Sequence, residues 1–225
     1  MKRASTKHFF KKILFHLLYP VSQWFLSKER NYTYRDIQVK VLPGVFHPGL
    51  FFSTKILLEY LEELDLQGKT FFELGAGTGL ISIFAAQKGA DVTSSDISLT
   101  AIQNIERNAT DNNVKLNMIC SDLFDKIQEH TFDLIIINPP YFPKDPRNEK
   151  EYAWFCGSDF QFFSKLFTQI GKFIDENNKT IMILSEDCDI ERIKTIAQNS
   201  GFKLKEVYRK RVWAELNYLF QIIKS

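Results

Sequence analysis

Asn138, Pro139 and Pro140 follow four consecutive apolar residues, 134–137, and lead into Tyr141. Proline donates nothing to a β-ladder. It fixes its own φ near about −65° and restricts the residue before it to extended conformations. The segment is therefore rigid and lacks two N–H donors. It keeps two acceptors, the Asn138 side-chain oxygen and the Pro139 carbonyl. Two fixed acceptors suit a substrate NH2 on a planar group. Such a nitrogen is a poor nucleophile because its lone pair is delocalised. Accepting both hydrogens turns it toward a tetrahedral geometry and aims the lone pair at an electrophile. The contribution is positioning and stabilisation of developing positive charge, with no base of high pKa. Tyr141 adds a flat face for stacking.

Three other groups of residues belong to the same chemistry. Glu73-Leu74-Gly75-Ala76-Gly77-Thr78-Gly79 reads as a strand-to-helix turn in which backbone approaches a ligand closely. Its G-x-G-x-G spacing differs from the dinucleotide pattern G-x-G-x-x-G. Glu73 beside the loop would repel a pyrophosphate but can accept from an ammonium group. Asp96 follows about twenty residues after Gly75, where an acidic side chain holds a nucleoside ribose. It is free for that role because Ser98 can cap the next helix. Asp122 follows the next strand; it can accept from an adenine amino group, with Leu123 against the ring. The alternative for each is local: a tight turn at the glycines and a helix cap at Asp96 or Asp122.

These residues need elements to bring them together. Apolar runs alternate with helical patterns after residue 35. Residues 34–46 read as a strand pair or an extended entry. Residues 52–64 form an amphipathic helix capped by Ser53 or Thr54 and ended by Gly68. Strands follow at 69–74, 91–96, 115–122, 132–138 and 179–185, with helices at 80–88, 99–112, 160–174 and 189–201. Segments 202–212 and 215–223 have no helix between them, so they pair antiparallel at the sheet edge. The expected fold is α/β, a doubly wound, seven-stranded, mostly parallel sheet with an antiparallel C-terminal hairpin strand. Ligands bind beyond the carboxyl ends of such strands, at the switch point.

Taken in order, the four groups resemble the class I S-adenosylmethionine-dependent methyltransferases. Glu73 to Gly79 resembles the first motif of that superfamily. Asp96, with Ile97 beside it, resembles the ribose acid, and Asp122 with Leu123 the adenine contact. Asn138-Pro139-Pro140-Tyr141 resembles the NPPY signature of the amino-methylating branch. The resemblance runs from about Val41 to the C-terminus. It implies S-adenosyl-L-methionine as cofactor, held by Glu73, Gly75, Ala76, Gly77, Gly79, Asp96, Ile97, Asp122, Leu123 and Asn138. It implies catalysis by Asn138, Pro139, Pro140 and Tyr141. Residues 42–61 are similar to ribosomal-RNA guanine methyltransferases of the "small" domain type; residues 154–167 and 183–202 are more similar to the HemK protein-glutamine methyltransferases. The implied acceptor is a macromolecule. A protein glutamine side chain, as on a translation factor, is placed first. A guanine N2 or adenine N6 amino group of RNA or DNA is the alternative. A nucleoside-binding module without catalysis is the reading from a different class.

Bulk properties frame this. The 225-residue chain has 44% hydrophobic and 25% charged residues, ordinary for one soluble domain. Three scattered cysteines with no CxxC or Cys/His cluster support neither a disulfide framework nor a zinc site. A reducing cytoplasm, a monomer and no metal are expected. The net charge of +2 conceals a basic leader, with Lys2, Arg3, Lys7, Lys11, Lys12, Lys28 and Arg30 against Glu29. Phe10, Ile13, Leu17 and Val21 share a helical face, and the apolar stretch 13–26 is too short and interrupted to span a bilayer. The expected division is a basic helical extension over 1–40 and a methyltransferase domain over 41–225. His47 reads as a loop histidine. Phe51 and Phe52 can cover the cofactor, Trp154 can line the mouth, and the loop 142–152 can act as a gate.

Overall fold

The computed structural model of the chain describes residues 27–213 and 215–225. The expected leader helix lies outside the described residues. The chain enters through an antiparallel pair, β1 (Arg30–Tyr34) and β2 (Ile37–Val41). Then come α1 (Ser53–Glu62), β3 (Thr70–Leu74), α2 (Leu80–Gln87), β4 (Asp91–Asp96), α3 (Leu99–Asp111), β5 (Asn117–Cys120) and β6 (Leu134–Ile137). After a long loop follow α4 (Gln161–Gln169), β7 (Lys179–Ser185), α5 (Ile190–Asn199), β8 (Phe202–Val212) and β9 (Glu215–Lys224). The seven-stranded sheet has the order β5-β4-β3-β6-β7-β9-β8. β9 is antiparallel to both its neighbours, so the other six strands share one direction. β9 therefore lies inside the sheet, and β8 forms the edge.

Period-two alternation divides the core into two layers. Phe72, Leu74, Ile135 and Ile137 face Phe163, Leu166 and Phe167 of α4 and Ile193 of α5. Phe71, Leu134, Ile136 and Ile181 face Leu57 and Leu61 of α1 and Ile81 and Phe84 of α2. All four β6 residues are buried, which explains their unbroken apolar run. The strand order reverses between β3 and β6. Successive crossovers leave in opposite directions there, opening a crevice at the carboxyl ends of both strands.

Two local expectations are corrected. α1 is entered from Phe52 with no side-chain cap; Ser53 is instead turned inward. The helix stops at Glu62, well short of Gly68, and Lys88 Nζ donates to the carbonyls of Leu61, Glu62 and Leu64 at 2.9, 2.7 and 2.6 Å. A cation on the last carbonyls satisfies orphan acceptors and suits the helix dipole. Gly68 instead makes a left-handed turn, φ 68°, before β3.

The expected boundary at residue 40 falls within β2, which is bonded to the body through α3. Asn104, Asn108 and Asn112 recur every four residues along that helix. Asn108 Oδ1 accepts from the Lys40 N–H at 2.8 Å, and Asn104 Oδ1 from the Leu42 N–H at 3.0 Å. Asn112 Oδ1 accepts from the Gln38 N–H at 3.2 Å, and its Nδ2 donates to the Gln38 carbonyl at 2.7 Å. Nδ2 of both Asn104 and Asn108 donates to the Lys40 carbonyl, at 2.8 and 2.9 Å. Four helical residues rise about 6 Å and two strand residues about 6.8 Å, so the amides stand in for a neighbouring strand. This closes an edge that would otherwise be open. Asn108 is fully buried and also donates to the Thr78 carbonyl at 2.9 Å, tying the glycine turn to the hairpin. Replacing Asn108 by Ala leaves the Lys40 N–H and two carbonyls short of a partner. We expect a loss of about 2–4 kcal/mol in denaturant unfolding, with unchanged m-value.

Candidate active site

The expected residues converge on one cavity of about 360 Å³ at the switch point. Glu73, Gly75, Ala76 and Gly77 line it from the end of β3, and Asp96 and Ile97 from the end of β4. Asp122 and Leu123 follow β5, and Asn138, Pro139, Pro140 and Tyr141 follow β6. Gly79 does not line the cavity. It caps α2 with φ 76°, and a Cβ there would stand 3.0 Å from Ile105 Cγ2, so the glycine serves close packing of α2 against α3. Gly75 differs: its φ is 72° and a Cβ would meet nothing within 4 Å. The turn requires a left-handed residue there, and the space beside it is open.

The glycine turn is not a cluster of free donors. The N–H groups of Gly75 and Ala76 both donate to the Ser95 carbonyl at 2.9 Å. That of Gly77 donates to Asp96 Oδ2 at 2.9 Å, and that of Gly79 to the Ala76 carbonyl at 2.8 Å. What the loop offers is close approach and carbonyl acceptors. Asp96 is braced in turn, because its Oδ1 also accepts from the Ser98 N–H at 2.9 Å. Burial raises its pKa, while the N–H groups of Ser98, Gly77 and Ile97 pull it down. Ser98 caps α3, accepting from the Ala101 N–H at 3.3 Å, so Asp96 is not the cap.

Glu73 shares the alternation of Phe71 and therefore points into the layer between the sheet and α2. Its side chain is only 4% exposed. Ser82 Oγ of α2 donates to its Oε2, and Ser94 Oγ of β4 donates to Ser82 Oγ at 2.7 Å. Both serines are fully buried. Burial pushes the Glu73 carboxyl up to about 8, opposed by the Ser82 hydrogen bonds and reinforced by the charge of Asp96. The two serines went unrecognised in the sequence. The only signal was one hydroxyl inside the otherwise apolar "LISIFAA".

Asp122 is exposed and does not cap a helix. Lys165 Nζ of α4 donates to Asp122 Oδ2 and Asp125 Oδ2, each at 2.7 Å, and itself lines the cavity. Leu123 is buried with φ 51°. Asn138 Nδ2 donates to Ser53 Oγ at 3.2 Å. That tether explains the inward turn of Ser53 and leaves Asn138 Oδ1 for the cavity. Neither Asn138 Oδ1 nor the Pro139 carbonyl receives a hydrogen bond from any described residue. Tyr141 is packed on the core beneath the rim. Burial raises its phenol well above 10, helped by Cys188, Glu215 and Asp187, so it stays neutral and cannot act as a base.

Phe46, Phe51 and Trp154 form a half-buried trio lining the cavity, with ring centroids 5.5–5.7 Å apart. Phe46 was not anticipated; Phe52 packs toward the α1–α2 layer instead. His47 is buried, accepts from the Gly49 N–H at 3.1 Å and meets Tyr32 edge-on at 5.7 Å. Burial lowers its pKa. The loop 142–152 is held by backbone bonds from Phe142 to Trp154 and from Cys156 to Phe142, and by Ser158, whose N–H and Oγ donate to Asp145 at 2.8 and 2.9 Å. Among the described residues no group of His, Cys, Asp and Glu is placed to hold a metal, and no helix is long and apolar enough to cross a membrane.

A parallel sheet with this order, a glycine turn after β3, an acid after β4 and NPPY after β6 defines a class I methyltransferase domain, whose cofactor is S-adenosyl-L-methionine. The chain belongs to the family described as Methyltransferase small domain, whose profile matches residues 36–154. A Methanocaldococcus jannaschii protein, named provisionally as a protein N5-glutamine methyltransferase, is 40% identical over 108 residues, 48% of this chain and 52% of that protein. Ribosomal RNA small subunit methyltransferase C of Hamiltonella defensa is 32% identical over 122 residues, 53% of this chain and 34% of that protein. The chain spans about half or less of these relatives. The E. cuniculi Mtq2–Trm112 complex, described as methylating the termination factor eRF1, superposes with TM-score 0.61 at 20% identity, covering 81% of this chain and 99% of that one. A T. thermophilus 16S rRNA N2-methyltransferase in complex with AdoMet and guanosine gives TM-score 0.61 at 18% identity, covering 87% and 51%. At these identities the superpositions speak to the fold.

The buried Glu73 has a measurable consequence. Its folded pKa of about 8 stands above the ordinary 4.5, so the folded state holds the proton more tightly. Stability from this group is complete below about 4.5 and falls as pH rises through about 8. Glu73→Gln should flatten that fall in the thermal midpoint between about pH 5 and pH 8.

Proposed function

We propose that the protein is an S-adenosyl-L-methionine-dependent N-methyltransferase acting on the NH2 of a planar group in a macromolecule. One observation carries this: two acceptors, Asn138 Oδ1 and the Pro139 carbonyl, are held at the cavity with no donor among the described residues, one of them anchored through Ser53. Buried or half-buried acceptors left open in this way await donors from a ligand. Glu73 would accept from the cofactor's ammonium group, which favours its ionised form. Gly75, Ala76 and Gly77 would give its chain close passage. Asp96, with Ile97, would take the ribose, and Asp122 with Leu123 the adenine. The bound cofactor supplies an electrophilic methyl on a sulfonium.

Asn138 and Pro139 would hold the two amino hydrogens and so direct the nitrogen lone pair toward the transferable methyl. Tyr141 and the fixed ring of Pro140 wall the pocket. Transfer would form a nitrogen–carbon bond at the expense of the cofactor's carbon–sulfur bond, and the two acceptors would stabilise the positive charge left on the nitrogen. One amino proton then passes to solvent. No residue of the site has to act as a strong base.

A protein glutamine amide is supported by the identity to the provisionally named glutamine methyltransferase. A nucleic-acid base is supported by the identity to the ribosomal RNA enzyme. The Phe46, Phe51 and Trp154 rings also favour the base, since they offer faces to a planar heterocycle. Asn138→Ala should reduce methyl transfer about 100-fold or more while cofactor affinity, read by calorimetry, changes less than about threefold. Undiminished transfer in that variant would sink the mechanism. Cofactor binding by the native protein with no labelled acceptor in a lysate would point to the non-catalytic module.

A further inference from the structure

The β8–β9 hairpin carries features that the methyl-transfer site does not use. It ends on the rim of that site: Ser185, at the carboxyl end of β7, pairs with Asn217, and the Glu186 N–H donates to the Leu216 carbonyl at 2.7 Å. Glu215, at the start of β9, is among the groups acting on the Tyr141 phenol. At the turn stands Trp213, 90% exposed and in the left-handed region at φ 54°. A bulky aromatic residue rarely takes that backbone conformation, and no described part of the chain covers its ring.

The edge strand behind it is basic. β8 contains Lys203, Lys205, Arg209, Lys210 and Arg211 against Glu206 alone. A bulge between Glu206 and Tyr208 shifts the alternation. Lys203, Lys205, Tyr208 and Lys210 thereby come to one face of the strand, and Arg209 and Arg211 to the other. Lys210 pairs with Glu59 at 2.6 Å and Arg209 with Glu206 at 2.5 Å. Arg211 reaches Glu186 only at 3.8 Å, and Lys203 and Lys205 have no ion pair among the described residues. Tyr208 is also exposed.

We propose that this hairpin docks a single-stranded RNA segment, with a base stacked on Trp213 and the phosphates following the cations of β8, so that an adjacent amino group reaches Asn138. A cation stripe ending in an exposed aromatic ring is what a single strand recognises, since every base has a stacking face. The outer edge of β8, which no described strand pairs, adds backbone N–H and C=O groups that can bond 2′-hydroxyls, which DNA lacks. This inference rests on the amino-methylation reading for the acceptor but not for the binding itself.

The test uses the full chain and a fluorescein-labelled 12-nucleotide single-stranded RNA of mixed sequence, followed by anisotropy over 50–200 mM salt. Trp213→Ala should weaken binding about 5- to 100-fold, and Trp213→Phe should retain most of it. Lys203→Ala with Lys205→Ala should flatten the dependence of log K on log salt by about 1.4. Cofactor affinity should be unchanged in all three, which shows that they fold. Asn138→Ala should bind the RNA as the native protein does, so loss of methylation and loss of docking are separable. Affinity unaffected by the hairpin substitutions, or equal affinity for a labelled single-stranded DNA of the same sequence, would each overturn the proposal.

Discussion

A sheet covered by helices on both faces can meet polar ligands only where its strands end. Along β6 the side chains on both faces are buried, and the backbone groups are consumed by β3 and β7. The first residue able to offer an acceptor is Asn138, one step past the last ladder pair. The same constraint holds at β3, β4 and β5, so Gly75, Asp96 and Asp122 are forced onto one rim. The reversal of strand order between β3 and β6 then decides which ends stand apart far enough to leave a cavity. The chemistry of this protein follows from that geometry of burial.

Glu73 shows what happens where the constraint is strained. It precedes the glycine turn by two residues and still lies within the strand, on the parity that faces α2. A carboxyl placed there is held by Ser82 and Ser94, and its proton is retained near neutrality by burial. Asp96, one strand over, braces the turn that Glu73 introduces. The site is thus an acid pair with different surroundings. Glu73 is screened by hydroxyls within the core, and Asp96 is fixed by backbone N–H groups at the rim.

The asparagine ladder of α3 supports the same arrangement from outside. Asn108 joins β2 to the Thr78 carbonyl, so the entry hairpin and the glycine turn form one bonded unit. The segment between β2 and α1 brings Phe46 and Phe51 over the cavity, and Ser53 reaches from the first turn of α1 to Asn138. Ser53 therefore lies 85 positions from Asn138 in the sequence and yet helps to set its orientation.

The linear pattern determined the alternation of elements, the apolar runs of β6 and β7, the Ser98 cap and the four motifs at strand ends, because each depends on neighbours within a turn or two. It also determined that β8 and β9 pair antiparallel. Tertiary structure alone decided that β9 enters between β7 and β8, that Lys165 holds Asp122, that Ser53 holds Asn138 rather than capping α1, and that Gly79 packs rather than lines. Asn104, Asn108 and Asn112 are visible at their spacing of four, but nothing in α3 says that a strand passes alongside. Lys165 and Asp122 are 43 positions apart, Ser53 and Asn138 are 85 apart, and the asparagines stand 62 to 74 positions from their strand partners. Their meeting depends on loop closure and on which side chains share a face after the sheet has assembled, and local periodicity does not encode that.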